Sequence, residues 1–383
     1  FDFNKAIRNF SCKYNKINDM KINCNLVKFD EGLDLESGAK LDSFELMIEA
    51  YGELNKDKSN GILICHAFSG NHHAAGTSKN NKESGWWDNI VGPGKAVDTD
   101  KYFVVCSNNL GGCAGSSGPL SINPINKKPY GKDFPSVSVV DWVNSQKLLS
   151  DYLGIKKWHM VLGGSLGGMQ ALQWSISFPE SLKKAGIFAA AAKSSTQNIA
   201  MNEVGREAIR KDKNFMNGDY LLHDIRPRSG LKTARMLGHI TYSSEAIMDQ
   251  KFGRNFQDIK SKIDRDVDYQ VENYLQYKGE KFSDIFDANS YILMTKAMDG
   301  YDASFATNGD LEKVLSRVKA KLLVIGFDSD WLYPPQRSKE IQLAAMNVGV
   351  ACSCVILEGK QGHDSFLFAS NRYVDIVKGF IES

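Results

Sequence analysis

The sequence has no run of roughly 18 apolar residues, so nothing in it is expected to span a bilayer. Charge of one sign is equally scarce. Forty-seven Lys and Arg stand against 45 Asp and Glu, a net charge of +2. That leaves no electrostatic footing for nucleic acid or an anionic membrane surface. The stretch Phe1 to Asp30 mixes Lys, Asp and Asn with apolar residues and has no uninterrupted hydrophobic region, so it does not read as a secretory signal. A chain that begins at Phe1 rather than Met is expected to have residues upstream. Internal repeats and low-complexity segments are missing. The seven cysteines, Cys12, Cys24, Cys65, Cys106, Cys113, Cys352 and Cys354, are odd in number and fit no zinc spacing; Cys352-Ser-Cys354 is one residue too close for Cys-x-x-Cys. Several lie in apolar strand-like runs, where a reduced cysteine acts as a small hydrophobe, and a reducing cytoplasm is the expected compartment. The His72-His73 pair has no carboxylate or cysteine at ligand spacing, so no metal is expected there.

What is present is 383 residues with 42% hydrophobic and 24% charged side chains, ample for a large core. The chain is organised around Val161-Leu162-Gly163-Gly164-Ser165-Leu166-Gly167-Gly168-Met169-Gln170. This Gly-x-Ser-x-Gly motif is entered from a short apolar run and left through residues with helical periodicity. Such a serine, at a strand-to-helix corner and at the positive end of the following helix, is a nucleophile elbow. By chance the motif occurs in many glycine-rich loops, so its surroundings decide. Gly61-Ile62-Leu63-Ile64-Cys65-His66-Ala67, Tyr102-Phe103-Val104-Val105-Cys106, Ala185-Gly186-Ile187-Phe188-Ala189, Ala320 to Phe327 and Ser353 to Leu357 read as buried strands. Val137 to Leu153 and a segment from about Asn371 read as helices, and Phe44 to Tyr51 as an alternating antiparallel strand. The expected fold class is therefore α/β, an α/β-hydrolase fold with a mostly parallel sheet covered by helices. Residues 195–302 change character, being long, polar and helical in period; they read as a helical lid inserted into a core of residues 1–194 and 303–383.

A serine hydroxyl attacks only when a base removes its proton and a third group holds that base in the right tautomer. His363 follows the Val355-Ile356-Leu357 strand through a short loop, the place of the base in this fold. Asp328 and Asp330 both follow the Leu322 to Phe327 strand, and spacing does not choose between them. The oxyanion donors are expected to be the backbone N–H of Leu166 and that of Phe68 or its neighbour Ser69, in the loop after the His66 strand.

Several long blocks carry a resemblance to the homoserine O-acyltransferases of methionine biosynthesis: Tyr51 to Asn55, Cys65 to Gly70, Gly85 to Asp88, Gly92 to Lys95, Asn109 to Cys113, Gly164 to Gln170, Asn202 to Arg206, Phe286 to Tyr291, Ser329 to Pro335 and Gly362 to Asp364. The resemblance spans nearly the whole chain. It implies Ser165 as nucleophile, His363 as base and Asp330, rather than Asp328, as the acid of the triad. It further implies Arg235 on the substrate carboxylate and Asp364 on its amino group, a pairing that suits an amino acid's two charges. The implied activity is two-step transfer of an acyl group from acyl-CoA to the hydroxyl of L-homoserine, with ping-pong kinetics and no metal or bound cofactor. Acetyl and succinyl donors both occur among such enzymes. An arginine two residues after the acid matches succinyl users; here that position is Leu332, which favours acetyl-CoA. Against this, Asn108 to Cys113 and Gly115 to Pro119 look closer to the succinyl-using branch, and Arg228 or Arg337 could bring a cation from elsewhere. A homodimer formed through the lid is also implied. The rivals are an acyltransferase acting on serine and an esterase or deacetylase on the same scaffold.

Overall fold

The computed structural model describes residues 15–17, 20–77, 84–257 and 269–383; Cys12 and the first part of the Phe1 to Asp30 stretch lie outside them. Nine strands build one sheet: β1 (Asn15–Ile17), β2 (Met20–Phe29), β3 (Phe44–Tyr51), β4 (Gly61–Cys65), β5 (Phe103–Ser107), β6 (Met160–Gly164), β7 (Lys184–Phe188), β8 (Lys321–Phe327) and β9 (Cys352–Leu357). Their spatial order is β1-β2-β3-β5-β4-β6-β7-β8-β9. From β5 through β9 all neighbours are parallel, whereas β1, β2, β3 and β5 pair antiparallel. The chain passes from β4 outward to β5 and then returns to β6 on the other side. That reversal opens a crevice at the carboxyl ends of β4, β5 and β6, where α/β sheets place their ligands.

The apolar runs of the parallel strands alternate between two cores. Leu63, Val161, Ile187, Leu322 and Val324 join the core that holds Trp142, Leu172 and Ile341, while Ile62, Ile64, Leu162, Leu323 and Ile325 join the one that holds Trp87, Tyr373, Val377 and Ile381. Both faces are thus covered by helices, as parallel sheets require. On the first face lie α1 (Val139–Leu153) and α2 (Leu166–Ser177). The start of α1 is fixed by a reciprocal capping box, Ser138 Oγ accepting from Asp141 N and Asp141 Oδ2 from Ser138 N, and Gly154 ends it at φ 69°.

Between β7 and β8 the chain forms α3 (Thr196–Arg210), α4 (Arg228–Tyr242), α5 (Glu245–Phe252), α6 (Gln270–Ile285) and α7 (Ala288–Asp299). Its two stems meet: Lys193 bridges Asp302, Ala303 N donates to Ala192 O at 2.8 Å and Ser194 N to Tyr301 O at 3.1 Å. Within the insertion α4 packs against both α3 and α6. The remaining helices are α8 (Leu311–Leu315), α9 (Pro335–Asn347) and α10 (Asn371–Glu382). Among the described residues no helix is long and apolar enough to cross a membrane.

Candidate active site

Ser165 sits between β6 and α2 with φ 59° and ψ −124°, a conformation that costs a residue with a Cβ on the order of 1–3 kcal/mol. Its N–H is held by Phe188 O at 2.8 Å. The serine itself, and none of the flanking glycines, carries the positive φ of the turn; the glycines supply room. A Cβ on Gly163 would lie 2.5 Å from Cys65 O, on Gly164 2.2 Å from the Phe366 ring, and on Gly167 2.0 Å from Cys65 O. The elbow is therefore wedged against β4 on one side and the histidine turn on the other.

That turn, a 3₁₀ segment over Gly362–Leu367, presents His363. Its Nε2 lies 2.8 Å from Ser165 Oγ and its Nδ1 2.9 Å from Asp330 Oδ2. Asp330 Oδ1 accepts from the N–H groups of Leu332 (3.0 Å) and Tyr333 (2.9 Å), so the carboxylate is fixed and one oxygen is committed to the imidazole. Asp328 lies apart, its Oδ1 accepting from Gly359 N at 2.9 Å, where it ties two loops together. Spacing leaves both acids open; it is Asp330, the one the resemblance implies, that lies beside His363. The imidazole is packed by the rings of Tyr333, Phe366 and Tyr242, with centroids 5.3, 5.7 and 5.9 Å away. Burial alone lowers its pKa, but the Asp330 charge and hydrogen bond, with Asp364 beside it, outweigh that and raise it above the ordinary value. A base must be neutral to act, so activity is lost as pH falls through this raised pKa. The acid limb of kcat/KM is expected to have its midpoint above about pH 6.5, and Asp364→Asn to move it downward. A midpoint below that value in a pH–rate profile contradicts the assignment.

A cavity of about 110 Å³ opens beside Ser165 and His363. Phe68, Ser69, Arg235, Leu332 and Asp364 all line it, and Asp330 reaches it through the His363 ring. Leu166 is the first residue of α2, where an N–H has no intrahelical acceptor. Arg235 projects from α4 over the Phe282 and Tyr242 rings, 4.6 and 5.6 Å from their centroids. Its Nε and one Nη are buried and have no hydrogen-bond partner among the described residues. Burial raises the pKa of Asp364, while His363 and Arg235 pull it back down. A cation and an acid therefore face one small chamber next to the serine.

Some expectations are corrected. Arg228 pairs with Asp284, and Arg337 with Glu340 at 2.7 Å along α9; neither lines the cavity. Among the described residues Arg235 is the one Lys or Arg that does. His72 is not remote from ligand-type side chains either: Cys24 and Glu49 come from β2 and β3 to put all three ligand atoms within 4.8 Å of one another. Glu49 there receives the Tyr51 hydroxyl at 2.6 Å and lies 2.8 Å from His73 Nδ1, fastening the loop beyond β4. The sequence reading missed Tyr242, Tyr333, Asn198 and Asn202 as cavity walls. Helical spacing held the signal for one of them, since Tyr242 stands seven residues after Arg235 on α4 and so on the same face.

A buried serine–histidine–carboxylate relay at an elbow between strand and helix, on a mostly parallel sheet, defines a serine-dependent acyl-transferring or hydrolysing enzyme. A family profile for the alpha/beta hydrolase fold matches residues 60–370. The chain is 52% identical over 358 residues to a homoserine O-succinyltransferase of Hahella chejuensis, covering 93% of each chain. It is 49% identical to the enzyme of that name from Neisseria meningitidis serogroup B, covering 93% of this chain and 94% of that one. Among solved structures, a homoserine O-acetyltransferase from Bacillus anthracis superposes with a TM-score of 0.87 at 28% identity, over 94% of this chain and 98% of that one. Esterase E22 superposes with a TM-score of 0.86 at 31% identity, over 94% and 100%. The chain belongs to the homoserine O-acyltransferases of the α/β-hydrolase fold.

Proposed function

We propose that this enzyme transfers a succinyl group from succinyl-CoA to the side-chain hydroxyl of L-homoserine. The observation that carries the donor is the set of relatives named homoserine O-succinyltransferase, 48–52% identical over more than nine-tenths of the chain. It reverses the preference for acetyl-CoA drawn from Leu332. That inference asked one position to report the donor; Leu332 indeed brings only an apolar side chain, its carbonyl accepting from Asn198 Nδ2 at 3.1 Å.

In the first half-reaction Ser165 Oγ passes its proton to His363 Nε2 and attacks the thioester carbonyl. The oxyanion is held by the N–H groups of Phe68 and Leu166. Collapse expels CoA thiolate, which takes the proton from His363 and leaves succinyl-Ser165. In the second half, His363 takes the homoserine hydroxyl proton and the oxygen attacks the serine ester. Ser165 then leaves and recovers the proton. Arg235 binds the homoserine carboxylate and Asp364 its ammonium, which favours homoserine over water at the second step.

Arg235→Lys removes the planar fork. It is expected to cost roughly 2–4 kcal/mol, about 30- to 1000-fold in kcat/KM for homoserine, while serine acylation by the donor stays near wild type. Equal loss in both half-reactions is the result that counts against this role. The donor itself is tested by CoA release with succinyl-CoA and acetyl-CoA side by side, with homoserine, serine and water as acceptors. A preference for succinyl-CoA of roughly 10-fold or more is expected, with parallel double-reciprocal lines. Preference for acetyl-CoA would reinstate Leu332 as the reader. A second reading, hydrolysis, is favoured by the likeness to esterase E22; CoA release at one rate with and without homoserine would select it.

A further inference from the structure

His66 directly follows β4 and precedes Ala67, the first residue of the loop that lines the cavity, and it touches neither Ser165 nor His363 by any described hydrogen bond. It is almost fully buried, at 1% exposure. Its Nε2 receives the backbone N–H of Asn109, at 3.0 Å, from the loop after β5. A backbone N–H can only donate, so Nε2 carries no proton and the neutral imidazole must carry it on Nδ1. Nδ1 lies 2.7 Å from Ala67 O and therefore donates to it. The same carbonyl accepts from Gly70 N at 2.9 Å, closing a tight turn with Phe68 and Ser69 at its centre. Burial keeps the ring neutral, pushing its pKa down to about 4.

The Ala67 carbonyl and the Phe68 N–H belong to one trans peptide unit, and in such a unit they point in opposite directions. Holding the oxygen therefore aims the hydrogen. We infer that His66 is a positioning residue for the oxyanion site: by pinning Ala67 O through Nδ1–H, it fixes the peptide plane that turns the Phe68 N–H toward the carbonyl attacked by Ser165. The donation also polarises that peptide, strengthening its N–H as a donor. Asn109 sets the tautomer that makes this possible, so the β5 loop is linked to the oxyanion site through one ring. A preorganised donor acts because it needs no reorientation when charge develops.

This inference rests on the acyl-enzyme reading given above. The two ring contacts can be separated by substitution. His66→Asn places a donor near the position of Nδ1 and loses the acceptor for Asn109. His66→Gln places an acceptor near Nε2 and loses the Nδ1 donor. The readouts are kcat, KM for homoserine, thermal midpoint, and affinity for propylboronic acid, which forms a tetrahedral adduct on a reactive serine. Removing an oxyanion donor outright costs roughly 10²–10³-fold in kcat, so misaiming one is expected to cost about 10- to 100-fold. His66→Gln should show that loss in kcat and a parallel loss in boronate affinity, with KM for homoserine nearly unchanged. His66→Asn should keep most of both. The inference is overturned if the two variants fall equally, if His66→Asn is the worse, or if kcat and boronate affinity hold in a folded His66→Gln protein. It is also overturned if losses follow the thermal midpoint and homoserine affinity alike, since that is a merely structural role. Retained activity in Ser165→Ala would instead remove the acyl-enzyme reading, and so tells the two failures apart.

Discussion

Ser165→Ala is expected to lower kcat by roughly 10⁵- to 10⁶-fold and to leave the fold intact. The side chain is small, and its hydroxyl's described partner is the His363 ring. Removing the nucleophile of a serine relay costs about as much as removing the whole relay, because the three groups act as one unit. Mass spectrometry of the wild type mixed with succinyl-CoA, without homoserine, should show one succinyl adduct that the variant lacks. An adduct of equal yield on Ser165→Ala, or a rate within about tenfold of wild type, would rule out Ser165 as the site of attack.

The second large effect is expected at Asp330. In Asp330→Asn the amide can present its NH₂ to His363 Nδ1, which then must accept rather than donate. The ring's proton moves to Nε2, facing Ser165 Oγ, and the base can no longer take the serine proton. A loss of about 10⁴-fold in kcat is expected. Removing the Asp330 charge also removes the largest influence raising the His363 pKa, so any residual activity should show its acid limb at lower pH than wild type. Asp328→Asn is the control. Its amide oxygen can still accept from Gly359 N, and activity should stay within a few-fold of wild type. Kinetics that reversed the ranking of the two variants would reverse the assignment.

These two aspartates also mark how far the sequence could be read. The elbow, the buried strands and the histidine loop were legible because each is local: a glycine-flanked serine, an apolar run, a residue following a strand. Asp328 and Asp330 share one local context, so spacing alone leaves both open and it takes the resemblance to favour Asp330; the path of the chain from β8 to β9 brings that carboxylate to His363. Arg228 and Arg337 were reasonable cations by composition, but their side chains turn to Asp284 and Glu340. The meeting of Cys24, Glu49 and His72 was invisible for a related reason, since register across β2 and β3 brings together residues far apart in the chain. Leu332 alone leans to acetyl-CoA, whereas the relatives' names favour succinyl-CoA; a donor is read by a whole cavity wall, and α3, α4 and the loop after β8 all contribute to this one. His66 was seen only as the end of a strand. A tautomer is fixed by what faces each ring nitrogen, and that follows from the fold.

The joined stems of the helical insertion have a consequence for how such an enzyme changes its acceptor. Because the chain leaves the core beside Lys193 and rejoins it at Asp302, the segment between is an excursion whose length adds little to the entropy of closing the sheet. Ser165, Asp330, His363 and Asp364 lie outside the excursion, whereas Arg235, Tyr242, Asn198 and Asn202 lie within it. The serine–histidine–aspartate relay and much of the polar cavity wall that faces it are thus written on separable stretches of the chain. Substitutions within the excursion are therefore expected to change what the cavity admits while the relay beneath keeps its geometry.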